Sequence, residues 1–191
     1  MKKYLIPIVL LYIILIAITF YFDPQISILT YKTHNEILTT MFKYIGLVFT
    51  SAGILLLGTL FLLKKRTLIP YFWIGYLITG LFHVLCKFVL NRARPFVSLS
   101  LSKIPEISYS FDAWNSAFPS WHTAAMFFVV PFTFKLKSKL KYVWIFLALL
   151  MSFSRMYFGF HYLSDVLAGI LVGLFFGCLA LLVYQKRQKG L

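Results

Sequence analysis

Acidic residues are scarce in this chain: five among 191, against 19 Lys and Arg. The charged fraction is only 13%, while 61% of the residues are apolar. Soluble domains carry roughly 25% charged and 45–50% apolar residues. This chain therefore has too little polar surface to face water on all sides, and lipid must supply part of its solvent. Cysteine is nearly absent as well. Cys86 and Cys178 lie far apart in apolar segments without metal-ligand spacing, which suits small buried side chains and says nothing of redox compartment. No internal repeat, low-complexity tract or second domain is visible, so residues 1–191 read as one domain. A net charge of +14 raises the possibility of a nucleic-acid partner. Placement excludes it, because most basic residues sit in short clusters between apolar runs, the pattern of a membrane topology signal.

A transmembrane helix needs about 20 apolar residues, somewhat fewer when buried among neighbours. Six segments meet or approach that: Tyr4–Phe22, Met41–Leu63, Thr67–Phe88, Ser120–Phe134, Tyr142–Ser154 and Tyr162–Tyr184. All are read as helix, since open strands cannot satisfy their backbone in lipid. The first run is longer than a signal-peptide core and ends without a small-residue cleavage site, so it reads as a retained span. Lys2-Lys3, Lys64-Lys65-Arg66, the lysines from Lys135 to Lys141, and Lys186-Arg187 with Lys189 flank these runs. With six spans all four clusters fall on one side, which the positive-inside rule assigns to the cytoplasm. The expected architecture is an all-α integral membrane protein of six helices with both termini cytoplasmic. All five acidic residues (Asp23, Glu36, Glu106, Asp112 and Asp165) then lie on or near the opposite side. Asp23–Thr40 is read either as a loop or as an amphipathic stretch in the interface. Asn91–Pro119, with Trp114 among other aromatics, is read as an interfacial loop.

Lys87, Arg92, Arg94 and Arg155 break the charge pattern, sitting at the outer ends of spans three and five. Charges at such depth are costly and mark functional sites by default; snorkelling to headgroups is the plainer reading. Their spacings favour function. Lys87 and Arg94 are two helical turns apart, so they are expected to share one helix face, with Asn91 between them and Pro95 ending the helix. Two cations on one stripe suit a phosphate. Phe118-Pro119-Ser120-Trp121-His122 places a proline at a helix start, with Ser120 and His122 at the N-terminus of span four, where free N–H groups and the dipole favour an anion. Ser154-Arg155 precedes His161 and Asp165. This i, i+4 pair would let a carboxylate fix the imidazole tautomer and leave the other nitrogen free to attack. Zinc at His122, His161 and Asp165 is disfavoured, because no zinc motif is present and the surrounding Lys and Arg would repel a cation. His83 and His34 are left outside the site; His83 reads as a hydrogen-bonded buried histidine.

In these three constellations the chain resembles the type 2 phosphatidic acid phosphatase superfamily, whose motifs are K-x6-R-P, P-S-G-H and S-R-x5-H-x3-D. Lys87 to Arg94-Pro95 matches the first, Ser154-Arg155 with His161 and Asp165 matches the third, and Pro119-Ser120-Trp121-His122 matches the second except for Trp121 in place of Gly. The resemblance implies a metal- and cofactor-free hydrolysis of a phosphomonoester or pyrophosphate on a membrane lipid. His161 would form a phosphohistidine, Asp165 would orient it, and His122 would protonate the leaving oxygen. Lys87, Arg94, Ser120, Trp121 (through its N–H) and Arg155 would hold the phosphoryl group. Arg92 is outside the motifs and reads as peripheral. The Trp121 indole would pack under a lipid or join the interfacial aromatic belt. The segment from Arg92 to Trp114 is loosely similar to bacterial members acting on lipid A 1-phosphate; undecaprenyl pyrophosphate, phosphatidylglycerol phosphate and phosphatidic acid are the other candidate substrates. Relatives with a bulky third residue include transferases, so a lipid phosphotransferase using an alcohol acceptor is an alternative. A non-catalytic protein that binds or transports anionic lipid is a second. The expected location is the cytoplasmic membrane, with the site facing the periplasm or the cell exterior.

This topology predicts that a cysteine placed at Lys103 is labelled by a membrane-impermeant thiol reagent in intact cells, and that one at Ser138 is labelled only after permeabilisation. The reverse pattern would overturn the orientation.

Overall fold

The computed structural model describes residues 2–101, 116–137 and 139–190, and within these the chain is helical, without a strand. The elements are α1 (Lys2–Lys32), α2 (Glu36–Val48), α3 (Ser51–Leu62), a 3₁₀ turn (Leu63–Leu68), α4 (Ile69–Leu90), the short α5 (Pro95–Ser98), α6 (Trp121–Lys135), α7 (Leu140–Tyr157) and α8 (Leu163–Gln188). By length and composition, four stretches can cross a membrane: Val9–Lys32, Ser51–Ser98, Leu140–Tyr157 and Leu163–Gln188. The second of these doubles back at the 3₁₀ turn, where Lys65 leaves helical geometry (φ −143°, ψ 69°). The expected second span is broken between α2 and α3, where Thr50 caps α3 by accepting a hydrogen bond from Gly53 N–H at 3.1 Å. The expected fourth span, α6, has only 15 residues.

Protein rather than lipid surrounds α6, which explains its length. It is apolar all the way round, as a central helix must be, and every residue from Thr123 to Val130 is buried. It packs against α8, and also against α7, α3 and α4. Phe72 of α4 and Phe128 and Phe132 of α6 form the aromatic centre of the core. Trp144 Nε1 donates to the Met126 carbonyl at 2.9 Å and Tyr76 Oη to the Ser51 carbonyl at 2.9 Å, satisfying polar groups where water is absent. The outward faces of α1, α4, α7 and α8 carry exposed Leu, Ile, Phe and Val in number, the surface that lipid covers.

Two expectations are corrected. Asp23–Thr40 is not a loop for most of its length: α1 runs on through Asp23 and Pro24 to Lys32, a short turn follows, and α2 begins at Glu36. A carboxylate ends an apolar run in sequence, but here Asp23 is fully buried and paired, so the helix need not stop. The cysteines are not buried, Cys86 being half-exposed and Cys178 exposed, because both lie on the outward faces where lipid replaces a protein core. The interfacial loop expected around Trp114, and the likeness drawn from Phe111 to Trp114, fall outside the described residues.

The basic clusters of the second, fourth and sixth expected spans meet at one end of the bundle. Lys64, Lys137 and Lys139 line one depression, and Lys65 sits over the ring of Tyr184, whose hydroxyl is 3.2 Å from that of Thr67. The end of α4, the start of α6, the end of α7 and the start of α8 meet at the opposite end.

The closest packing is between α6 and α8. A Cβ at Gly173 would stand 2.3 Å from the Ala124 carbonyl oxygen, and Gly169 and Gly177 make the same kind of approach one turn to either side. Such small-residue stripes let two helix backbones touch. Gly173→Ala is expected to destabilise the protein by about 1–3 kcal/mol, the usual cost of overpacking. Thermal unfolding in detergent measures it, with Phe175→Leu on the exposed face of α8 expected to change little.

Candidate active site

The close α6–α8 contact brings the start of α6 beside the loop that enters α8. There a cavity of about 350 Å³ is lined by Lys87, Arg94, Trp121, His122, Arg155, Phe160 and His161, with Gly80, His83 and Val84 on the α4 wall. Six of the eight residues singled out from the sequence therefore share one wall. Ser120 and Asp165 are fully buried and stand behind it. The Ser120 N–H donates to the Asp165 main-chain carbonyl at 3.0 Å, which ties the start of α6 to the first turn of α8.

Local structure sets each position. Lys87 is in the last turn of α4, but the helix does not run on to Arg94. Asn91 ends it in the left-handed region (φ 34°, ψ 47°), its N–H bonded to the Lys87 carbonyl. Asparagine is one of the few residues that takes this conformation readily. Lys87 and Arg94 thus converge because the chain turns, not because they share a helical face. Arg94 caps α5, and its guanidinium lies 5.9 Å from the Phe160 ring centroid, with that of Arg155 at 5.8 Å from the same ring. One aromatic platform holds both cations. Arg155 is buried, and a Cβ at Gly46 of α2 would lie 3.3 Å from its Nη2. Gly46 thus backs the Arg155 side chain, and no motif announces it.

Pro119 precedes α6 rather than opening it. Ser120 is the N-cap, and its Oγ accepts from Thr123 Oγ1 at 3.0 Å. Trp121 and His122 are the first two helical residues. Trp121 sits in ordinary helical backbone, so a glycine is not required there. Its indole is held on the protein side: Nε1 donates to Ser51 Oγ at 2.7 Å, and the ring meets Tyr76 and His83 edge-on at 5.3 Å each. His83 is buried as expected and lines the cavity, but its Nε2 has no hydrogen-bond partner among the described residues. His34 is remote from the cavity, stacked on Tyr157.

His161 lies outside α8, two residues before its first turn. Its Nδ1 donates to the Ala117 carbonyl at 2.6 Å, whereas Asp165 Oδ2 is 3.8 Å away, beyond hydrogen-bonding range. The tautomer-fixing acceptor is therefore a main-chain oxygen, which no side-chain motif reveals. Asp165 Oδ2 instead accepts from the Tyr162 N–H at 2.7 Å, an acidic side chain reaching back to cap its own helix. Its Oδ1 accepts from Arg92 Nη1 at 2.6 Å, and Arg92 Nη2 donates to Asp23 Oδ2 at 2.7 Å. Arg92 is thus central, not peripheral, because two buried carboxylates need one countercharge between them. Its depth-breaking charge was the available signal. Among the described residues no group of three or more His, Cys, Asp or Glu side chains is placed to hold a metal ion.

A cavity that gathers three cations and two histidines at one end of an apolar helical bundle is chemically suited to an anionic group such as phosphate. Residues 67–189 match the PAP2 superfamily, and the chain belongs to this family of membrane phosphatases. Over 144 residues it is 26% identical to the bacitracin transport permease protein BcrC of Bacillus licheniformis, covering 75% of this chain and 68% of that one. Its fold is that of the transmembrane PAP2 type phosphatidylglycerolphosphate phosphatase of Bacillus subtilis (TM-score 0.73, 22% identity, 95% of this chain and 96% of that one). LpxE of Aquifex aeolicus is also similar (TM-score 0.68, 20% identity, 84% and 94%).

Burial first, then the Arg94 and Lys87 cations and lastly that of Arg155, hold the His161 imidazole well below the usual histidine range; the hydrogen bond to Ala117 acts in the other direction. The ring is neutral at neutral pH. As pH falls through about 6.5, the unfolded chain takes up this proton before the folded one. The contribution of His161 to stability is intact above that pH and lost below it. The fall in melting temperature between pH 7.5 and 5.5 is expected to be shallower in His161→Asn than in the parent protein.

Proposed function

We propose that the chain hydrolyses a phosphomonoester or pyrophosphate on a membrane lipid without a metal or other cofactor, through a phosphohistidine on His161. The observation that carries this reading is the hydrogen bond from His161 Nδ1 to Ala117, which leaves Nε2 as the attacking nitrogen beside three cations. Nε2 attacks phosphorus and the bond to the leaving oxygen breaks, with His122 supplying the proton that oxygen takes. Water then attacks the phosphohistidine, His122 recovers the proton, and inorganic phosphate leaves. Lys87, Arg94 and Arg155 neutralise the charge on the phosphoryl oxygens in flight. The N–H groups of Trp121 and His122 have no intrahelical partner at the start of α6 and are free to add to that field. Ser120 fixes this turn from behind the cavity wall, and Asp165 fixes the turn that carries His161.

The whole chain, residues 1–191, acts as a single domain. It crosses the cytoplasmic membrane six times, α2 with α3 and the buried α6 making the crossings that are not single long helices. The termini lie on the basic, cytoplasmic side and the cavity opens to the periplasm or exterior. Candidate substrates are phosphatidylglycerol phosphate, undecaprenyl pyrophosphate, lipid A 1-phosphate and phosphatidic acid. The fold shared with a phosphatidylglycerolphosphate phosphatase makes the first of these the one to assay first.

Purified protein is expected to release phosphate from at least one of these lipids at a rate unchanged by EDTA. Lipid binding without turnover would leave only the scaffold reading, and appearance of a phosphorylated alcohol would favour the transferase. His161→Ala is expected to abolish turnover on every substrate. His122→Ala is expected to lose about 10²–10⁴-fold on lipid monoesters and far less on p-nitrophenyl phosphate, whose leaving group needs no proton. Equal loss on both would make His122 a phosphate ligand and not an acid.

A further inference from the structure

Two carboxylates from distant parts of the chain meet behind the nucleophile, and Arg92 joins them. Asp23 comes from α1 and Asp165 from the first turn of α8; both are fully buried. Arg92 Nη2 is 2.7 Å from Asp23 Oδ2 and Nη1 is 2.6 Å from Asp165 Oδ1, with a third donation from Nη1 to Ser164 Oγ at 2.7 Å. Asp23 also accepts from the Ser164 N–H at 3.1 Å and from the Ser164 hydroxyl. The guanidinium lies between two rings, Phe20 of α1 at 4.2 Å and Tyr162 at 4.0 Å.

The main chain of the same residue grips the other side of the site. The Arg92 carbonyl accepts from the Ala117 N–H at 2.7 Å, and its N–H donates to Ser116 Oγ at 3.2 Å. Ala117 is the residue whose carbonyl holds His161 Nδ1. The side chain of Arg92 therefore fixes Asp165, which caps the Tyr162 N–H next to His161, while its backbone fixes the acceptor of the imidazole itself. Both routes to the nucleophile start at one residue, and its side chain is anchored on the far side by a carboxylate of α1.

We propose that Arg92 is a positioning residue for His161 and that Asp23 is the anchor that sets it, so that α1, which precedes the matched residues 67–189, is part of the phosphatase site. This rests on His161 being the nucleophile. Lysine at position 92 keeps the charge but lacks the planar fork that serves two carboxylates at once. Asparagine at position 23 keeps the shape but withdraws the countercharge.

The test compares Arg92→Lys and Asp23→Asn with the parent protein. Tyr12→Phe serves as control, since it removes a different α1–α8 bond, from Tyr12 Oη to the Leu167 carbonyl at 3.0 Å. Each protein is purified in detergent, checked by thermal unfolding, and assayed for kcat and KM on the lipid phosphate that the parent turns over. The His161 Nδ1–H resonance is followed by ¹⁵N NMR. Both site variants are expected to remain folded at the assay temperature and to lose kcat on the order of 10²-fold, the usual effect of displacing a reacting group by about 1 Å. KM is expected to change little and the Nδ1–H signal to weaken or shift, while Tyr12→Phe stays near the parent in both readouts. Folded variants with parental kcat and an unchanged Nδ1–H signal would overturn the proposal. So would a loss of kcat matched by the lost fraction of folded protein. If the parent shows no turnover, the phosphatase reading fails by itself, and the NMR signal still decides whether Asp23 and Arg92 position His161.

Discussion

One guanidinium shared by two carboxylates that water does not reach holds the site end of this bundle together. Removing a single partner from a buried ionic group leaves an uncompensated charge, which typically costs about 3–5 kcal/mol. The three charges therefore stand or fall as a unit. Their geometry fixes where α1 meets α8, where the chain turns after α4, and where residues 116 and 117 run past His161. Arg92 itself does not line the cavity; an anion there would meet Lys87, Arg94 and Arg155 rather than the guanidinium that Asp23 and Asp165 share.

The second requirement is proximity of backbones. The α6 residues that face the cavity and the residues entering α8 belong to one pocket only because the glycines of α8 let the two helices touch. With larger side chains the helices would separate, and the Ser120 N–H would lose its bond to the Asp165 carbonyl. Packing in the middle of the bundle thus controls alignment at its end. The apolar exterior contributes little to this alignment, since lipid can solvate it in any arrangement.

Much of this was legible in the sequence, for identifiable reasons. Helix locations followed from apolar runs. The charge clusters predicted that Lys64 and the lysines after α6 share one end, as they do. The residues of the three constellations were found because charges and histidines are conspicuous in apolar surroundings. What was illegible was carried by groups without a side-chain signature. The Ala117 carbonyl, the left-handed cap at Asn91 and the approach of Gly46 to Arg155 are main-chain or small-residue features. Asp23 was misread for another reason: a buried carboxylate looks like the end of a span until its partner, 69 residues away, is known. Arg92 was conspicuous, and only its exclusion from the motifs set it aside.

The acceptor that orients His161 belongs to the peptide chain, and that has a consequence for how this site tolerates mutation. Every amino acid at position 117 brings the same carbonyl oxygen, so a substitution there acts on the hydrogen bond only by shifting the main chain, as a side chain larger than that of the fully buried Ala117 would. The geometry is exposed also to changes in length. An insertion or deletion between Ser116 and Ser120 would carry the oxygen away from the ring while leaving every named catalytic residue in place. A homologue with all of its motif residues intact but a different number of residues in this short segment would keep the sequence signature of the family and lose the alignment of this histidine.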